Sequence, residues 1–280
     1  MSEIVCDICF HHCHLKEGMR GFCRARKNAN GENICDTYGR ITSLALDPIE
    51  KKPLNRFFPG SLILSAGSFG CNLRCPFCQN YEISWSDEVE YVAKQARYVS
   101  PEQLVKIAER YIDNGNIGIA YTYNEPLVGY EYVRDCAKLV HEAGLKNVLV
   151  SNGSVELKIL EEIIPYIDAM NIDLKGYSEN YYRKLLKGDR KQVLDFIAEA
   201  AKHCHIELTT LIIPNENDSI EEMKELSAWI ASIDKTIPLH ISRFFPCFNM
   251  TDRGPTSVKR VYELADVARE KLDYVYTGNC

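Results

Sequence analysis

Three closely spaced cysteines are the residues of this sequence whose types and positions best suit chemistry. Cys71, Cys75 and Cys78 form a CxxxCxxC pattern directly after an apolar run at 61–66. Three thiolates on one short loop can hold three corners of an iron–sulfur cube, which leaves the fourth iron open to a small amino-acid-like ligand. The competing interpretation is a structural zinc ion completed by a distant ligand, although no second CxxC knuckle follows the motif.

A second group of cysteines lies near the N-terminus. Cys6, Cys9, Cys13 and Cys23 place four thiols within 18 residues, interleaved with histidines and followed by few apolar residues. Tetrahedral zinc and an auxiliary [4Fe-4S] cluster both fit this pattern, and the small hydrophobic mass favours a structural zinc; unrelated reduced thiols are the remaining alternative. We therefore predict a cysteine-rich metal-binding extension at 1–58 and one main domain at 59–280.

Composition and charge exclude several classes of protein. The chain of 280 residues has a net charge of −6 and no run of lysines and arginines that would follow a phosphate backbone, so we expect no nucleic-acid partner. It contains no apolar stretch of about 18 residues and no basic-then-apolar leader, so we expect no membrane association and a cytoplasmic location. Twelve cysteines in such a chain point to metal ligands in a reducing, anaerobic cell more than to disulfides.

Apolar runs alternate with capped amphipathic segments from residue 61 onward, and this pattern predicts an α/β fold. Parallel strands joined by right-handed helical crossovers, about seven in number, suit a partial (β/α)6-type TIM barrel, with the doubly wound open sheet as the alternative. Functional residues should then follow the carboxyl ends of the strands. The strand candidates are 61–66, 117–121, 147–150, 169–174, 206–213, 239–244 and 274–276.

Several segments of the chain resemble the radical S-adenosylmethionine (SAM) superfamily, and in particular the AmmeMemoRadiSam system and pyruvate formate-lyase activating enzyme branches. The resemblance implies a [4Fe-4S] cluster at the CxxxCxxC loop, SAM bound at its open iron, and reductive cleavage to a 5′-deoxyadenosyl radical that abstracts hydrogen from an unidentified small-molecule or protein substrate. It also implies an electron donor such as a flavodoxin or ferredoxin. The segments that carry it are 47–54, 70–80, 121–126, 171–176 and 274–279.

The resemblance also assigns roles around the cluster. Glu125, helped by the backbone of Asn124, would accept a hydrogen bond from the methionyl amine of SAM, unless it is a solvated helix-capping residue. Asp173 would help to bind a monovalent cation and Lys175 would contact SAM. The alternative to these two roles is that Asp173 and Lys175 form a purely structural ion pair.

Further candidates come from the residues themselves. Ser151 and Asn152 end a predicted strand and could contact the ribose or carboxylate of SAM, or form a plain turn. Phe77 fits a dry cluster pocket, or ordinary core packing. Three residues in or just after the predicted strand 239–244 are candidates for catalysis on the substrate side: His240, Arg243 and Cys247. The alternative is that all three have structural roles.

Three functions therefore compete. The first is a radical SAM enzyme acting on an unidentified substrate. The second is an activase that generates a glycyl radical on a partner enzyme, indicated by the segment with Asp173 and Lys175. The third is a zinc-stabilised binding module without chemistry.

Overall fold

The N-terminal region is built from short antiparallel strand pairs. In the computed structural model, which describes residues 3–280, β1 (Ile4–Val5) pairs with β2 (His14–Leu15), and β3 (Arg26–Ala29) pairs with β4 (Glu32–Cys35). Residues 1 and 2 of the predicted extension lie outside the described residues. The first pair brings Cys6 and Cys13 together, because the backbone N–H of Cys6 donates to the carbonyl of Cys13 at 2.9 Å.

One eight-stranded sheet forms the main body of the chain, in the order β14-β13-β12-β11-β10-β9-β7-β6. All neighbours run parallel except β6, which pairs antiparallel with β7 at one edge. A small pair, β5 with β8, lies outside this sheet. The remaining strands are β5 (Arg40–Ile41), β6 (Ser43–Pro48), β7 (Leu62–Gly67), β8 (Arg97–Tyr98), β9 (Asn116–Tyr121), β10 (Lys146–Ser151), β11 (Ala169–Asp173), β12 (His205–Ile212), β13 (Leu239–Arg243) and β14 (Val275–Gly278).

Helices cross between successive parallel strands, which gives the predicted α/β partial barrel. Serine side chains cap several of them; for example, Ser100 accepts from the N–H of Gln103 ahead of Pro101, as in a capping box. The α-helices are α1 (Tyr81–Ser84), α2 (Val89–Gln95), α3 (Pro101–Glu109), α4 (Tyr130–Glu142), α5 (Leu157–Ile163), α6 (Arg190–Ala200), α7 (Ile220–Asp234) and α8 (Val258–Arg269). Short 3-10 helices span Ile49–Lys51, Ile112–Asn114, Pro126–Gly129 and Ile164–Tyr166, and Tyr181–Leu186 form a π-helix.

All seven predicted parallel strands are present, whereas β6 was not predicted. The sequence assigns residues 43–58 to the N-terminal extension, but 43–48 pair with β7 and the residues after them pack against the barrel. There, Ile49 and Leu54 are fully buried against Ile63, Ala120 and further side chains of the parallel strands. This segment closes the interior at the amino ends of the strands, so the open end of the barrel is the one where the strands finish.

Among residues 3–280, none of the helices combines the length and the apolar character needed to span a bilayer.

Candidate active site

A cavity of about 350 Å³ opens at the carboxyl ends of the parallel strands. Ten residues proposed from the sequence line it, although they come from four separate segments of the chain. They are Cys71, Cys75, Phe77, Cys78, Asn124, Glu125, Ser151, Asn152, Asp173 and Lys175.

The cysteine loop begins at a tight glycine turn after β7. Gly70 has a φ of +91°, and a Cβ there would lie 2.6 Å from the carbonyl oxygen of Cys23, so a side chain would collide with the N-terminal cysteine region. The backbone N–H of Cys71 donates to that same carbonyl at 3.1 Å. The chain therefore needs glycine at this position to carry the loop under the N-terminal region.

The three thiols of the loop fit an iron–sulfur cluster. Burial raises the pKa of Cys71 and Cys78, and raises that of Cys75 to about 12, so loading a cluster would expel protons. Two donors approach the Cys71 sulfur, the backbone N–H of Leu73 at 3.4 Å and the side-chain amide of Asn152 at 3.7 Å, and such contacts stabilise a coordinated thiolate.

Within residues 3–280, no three His, Cys, Asp or Glu side chains lie close enough to share a single metal ion. A [4Fe-4S] cube does not need such a group, because each thiolate binds a different iron.

Glu125 is the most enclosed ionisable group of the cavity wall, at 2% exposure. Its carboxylate accepts hydrogen bonds from the hydroxyl of Ser151 at 2.8 Å and from the N–H groups of Asn152 at 2.7 Å and Leu127 at 3.0 Å. Burial nevertheless raises the pKa of Glu125 to about 7. The carboxylate therefore joins the end of β10 to the turn after β9, with one lone-pair site remaining for a ligand.

Two asparagines hold the cysteine loop against the strand ends. Asn124 accepts from the backbone N–H of Ser68 at 3.0 Å and donates to the carbonyl of Gly70 at 3.1 Å. Asn152 donates to the side chain of Asn72 at 2.9 Å. Their side chains are thus engaged in positioning the loop, in addition to lining the cavity.

Asp173 and Lys175 form an ion pair at the end of β11, with Nζ 2.8 Å from Oδ2. Burial by itself would lower the pKa of Lys175, but the charge of Asp173 outweighs it and the pKa is raised. The ammonium therefore remains charged beside the cysteine loop. A monovalent cation at Asp173 would have to share the carboxylate with this lysine.

The three predicted substrate-side residues lie elsewhere. His240 is buried one layer deeper on β13 than the lining residue Ser242, and its Nε2 lies 2.6 Å from Glu207. The guanidinium of Arg243 donates to the carbonyl of Thr256 at 2.6 Å. Cys247 contacts the back of the loop, with Sγ 3.6 Å from the carbonyl of Cys78. None of the three lines the cavity in the described part of the chain, so their catalytic roles stay predictions.

The sequence analysis did not single out several other residues of the cavity wall, among them Lys52 and Tyr123. Both belong to segments that carried the family resemblance, 47–54 and 121–126, and that resemblance was the only signal that could have singled them out. Their proximity depends on the antiparallel pairing of β6 with β7, which was not predicted.

The N-terminal thiols gather beside the cysteine loop. The backbone N–H of Phe22 donates to Cys13 Sγ at 3.4 Å, and the side-chain amide of Asn33 donates to Cys6 Sγ at 3.3 Å. Burial raises the pKa of Cys9 to about 12 and that of Cys23 to about 11. The four thiols thus share one largely buried region and are supplied with N–H donors.

Comparison with known proteins agrees with this geometry. A family model described as the radical SAM superfamily matches residues 67–227. An uncharacterized protein of Methanocaldococcus jannaschii is 40% identical over 99% of this chain and 82% of its own length.

More distant relatives share part of the chain. A putative glycyl-radical enzyme activating enzyme of M. jannaschii is 24% identical over 74% of this chain and 77% of its own length. Among solved structures, a radical SAM methyltransferase from Sphaerobacter thermophilus superposes with a TM-score of 0.59 at 14% identity, covering 79% of this chain and 67% of that one. At that identity the likeness concerns the fold alone.

Proposed function

Because this chain belongs to the radical SAM superfamily, we propose that Cys71, Cys75 and Cys78 hold its [4Fe-4S] cluster and that SAM binds beside them in the cavity. When bound, the cluster and SAM would supply one-electron cleavage of the sulfonium and a 5′-deoxyadenosyl radical that takes hydrogen from an organic substrate. A low-potential donor such as a flavodoxin or ferredoxin would provide the electron.

One observation carries the proposal: the three thiols open into the same cavity as the polar groups at the ends of β10 and β11. Lys175 supplies a positive charge there for the carboxylate or ribose oxygens of SAM, and the free lone-pair site of Glu125 suits its ammonium. Ser151 and Asn152 orient Glu125, and Phe77 helps to keep water from the cluster. These residues bind and position; none of them needs to react.

The test is production of 5′-deoxyadenosine. Anaerobically reconstituted protein, reduced with dithionite in the presence of SAM, should form it, and Cys71→Ala, Cys75→Ala and Cys78→Ala should each abolish it. Cys204→Ala is the matched control, because Cys204 is also partly buried but does not line the cavity.

Absence of 5′-deoxyadenosine from reconstituted wild type that carries a full iron complement would contradict the proposal. Tightly bound zinc at the cysteine loop, with no iron, would instead favour the non-catalytic, zinc-stabilised module.

A second candidate function is that of a glycyl-radical activase. The likeness to a putative glycyl-radical enzyme activating enzyme favours it, together with the Asp173–Lys175 pair. Electron spin resonance of the reduced protein with SAM and each co-encoded protein should then reveal a glycine-centred doublet. A complete absence of this doublet would remove the candidate and leave the general radical SAM activity untouched.

We further propose a second metal centre at Cys6, Cys9, Cys13 and Cys23. These thiols are gathered and buried, and a tetrahedral zinc ion or an auxiliary iron–sulfur cluster could each use such a set. The small hydrophobic mass of the segment favours zinc as a structural ion.

Metal analysis of two variants separates the two centres. A variant lacking Cys71, Cys75 and Cys78 should retain one tightly bound zinc per chain, whereas about four irons would identify an auxiliary cube instead. A variant lacking the four N-terminal cysteines should retain the iron of the cysteine loop. Absence of both metals from the first variant would overturn the second centre.

A further inference from the structure

Two neighbouring lysines, Lys51 and Lys52, line the same cavity as the cysteine loop. They follow β6, the antiparallel edge strand, whereas the Asp173–Lys175 pair follows β11. Nothing in the proposed binding of SAM uses them. The cavity therefore carries a second cationic wall whose ligand is unassigned.

Lys52 is enclosed and incompletely paired. Its side chain is 4% exposed, its Nζ lies 3.0 Å from Asp47 Oδ2, and the ammonium stands 4.7 Å from the ring centroid of Tyr123. An ammonium has three N–H donors, and Asp47 is the one hydrogen-bond acceptor that the described residues give it. Because Lys52 borders the cavity, the remaining donors are available to a ligand there.

The charges around Lys52 do not balance. Asp47 also faces Lys51, whose Nζ lies 3.4 Å from Oδ1, so one carboxylate serves two ammonium groups. Burial opposes ionisation of Asp47, but the hydrogen bonds from Lys52 and Tyr123 outweigh it and lower its pKa to about 2. Burial lowers the pKa of Lys52, and its contact with Asp47 opposes that shift. When all three side chains are ionised, they therefore carry one net positive charge.

Tyr123 positions Asp47 and Lys52, and its own backbone is strained. Its φ is +75°, which is unusual for a bulky residue, and its hydroxyl donates to Asp47 Oδ2 at 2.8 Å. The ring packs so closely on Gly67 that a Cβ there would lie 2.7 Å from Tyr123 Cδ2. Strain of this kind persists where the surroundings fix a residue, and it is concentrated at ligand sites.

The other acidic groups of the cavity lining do not cancel the positive charge. Asp173 is paired with Lys175 at 2.8 Å, and the carboxylate of Glu125 is engaged by three donors of its own chain. With Lys175 assigned to SAM, a further anionic group in the cavity would thus meet Lys52 as the second ammonium with free donors. Such charge-assisted contacts are strongest in enclosed sites.

We infer that Lys52, supported by Lys51, binds an oxyanion of the substrate, a carboxylate or a phosphate, within this cavity. This inference rests on the proposed function, because it takes the molecule bound beside SAM to be the substrate. The anion site itself can be measured without any turnover.

Calorimetry on anaerobically reconstituted protein with SAM bound tests the inference, with malonate and inorganic pyrophosphate as probes. Wild type should bind at least one of them, and the stronger of the two identifies carboxylate or phosphate as the preferred group. Lys52→Met should weaken that binding by about 10-fold or more, the usual effect of losing a charge-assisted hydrogen bond. The exposed Lys235, paired with Asp273 away from the cavity, gives the control Lys235→Met, which should bind as wild type does.

Asp47→Asn keeps the test decisive even if Lys52→Met fails to fold. Asparagine still accepts from Tyr123 but no longer neutralises Lys52, so the anion should bind more tightly, by about 3-fold or more. If Asp47 and Lys52 have a purely structural role, Asp47→Asn should not increase the affinity for the anion. Binding of neither probe by wild type, or equal binding by wild type and folded Lys52→Met, would overturn the inference. Formation of 5′-deoxyadenosine in the same samples reports separately on the proposed function.

Discussion

The backbone N–H of Cys71 donates to the carbonyl oxygen of Cys23 at 3.1 Å, and this contact joins the two groups of cysteines directly. His11 adds a second contact, with Nε2 2.9 Å from the carbonyl of Asn72. The N-terminal region therefore forms one wall around the cysteine loop. Damage at this junction should affect both proposed metal sites.

Gly70→Ala tests the junction. Alanine would strain a backbone at φ +91° and also collide with Cys23, whereas Gly115→Ala at φ +90° meets no atom within 4 Å. We expect Gly115→Ala to cost about 1–2 kcal/mol in the free energy of unfolding and Gly70→Ala about 2 kcal/mol more. Urea unfolding measures the difference, and iron analysis should show loss of metal in Gly70→Ala alone. Equal behaviour of the two variants would mean that the junction tolerates displacement.

Glu125→Gln should destabilise the cavity wall. One carboxylate oxygen becomes an NH₂ group facing donors of Ser151, Asn152 or Leu127, so at least one buried hydrogen bond is lost. The expected cost is about 2 kcal/mol. Glu102→Gln is the control, because exposed Glu102 accepts only from Ser100 and should change stability by less than about 0.5 kcal/mol. Thermal unfolding of both variants checks this, and a neutral Glu125→Gln would show that the carboxylate is dispensable for folding.

Lys175→Met should weaken SAM binding about 10-fold or more, since it removes the ammonium beside the cysteine loop. The matched control is Lys146→Met: Lys146 and Asp168 are also 2.8 Å apart, but at the amino ends of β10 and β11, away from the cavity. Equilibrium dialysis with radiolabelled SAM measures both. Comparable affinities in the two variants would limit the Asp173–Lys175 pair to a structural role.

Glu207 should make the free energy of unfolding fall at acid pH. Burial opposes its ionisation, but hydrogen bonds from His205, His240 and the backbone N–H groups of Asn55 and Arg56 lower its pKa from 4.5 to about 2. A carboxyl whose pKa is lowered on folding stabilises the protein above its unfolded pKa. That contribution, up to about 3 kcal/mol, is lost as pH falls from about 4.5 toward 2.

Glu207→Gln should therefore flatten the decline of the unfolding free energy over that pH window, as chemical unfolding at several pH values would show. The control is Glu50→Gln, because exposed Glu50 accepts from the N–H of Gly60 in the same part of the barrel. If the unfolding free energy of Glu207→Gln falls with acid pH as steeply as that of wild type, the proposed contribution of Glu207 to stability is contradicted.

The sequence by itself determined the parallel strands and the position of the cysteine loop among them. Buried strands of a parallel sheet are apolar over most of their length, so 117–121 or 169–174 stand out without any knowledge of their neighbours. The CxxxCxxC spacing is equally local, because one short loop carries all three cysteines. Polar residues just after these strands were predicted to converge, since parallel strands finish at one edge of a sheet.

Only the tertiary structure decided what lies beside that edge. No residue of β6 is fully buried, and its antiparallel pairing with β7 brings Asp47 and Lys52 to Tyr123, which no local pattern encodes. His240 illustrates the opposite case: its strand was predicted, but its depth and its contact with Glu207 depend on packing between β12 and β13. Spacing along a chain fixes what a loop can bind, whereas the partners of a side chain across the barrel follow from how distant strands pair.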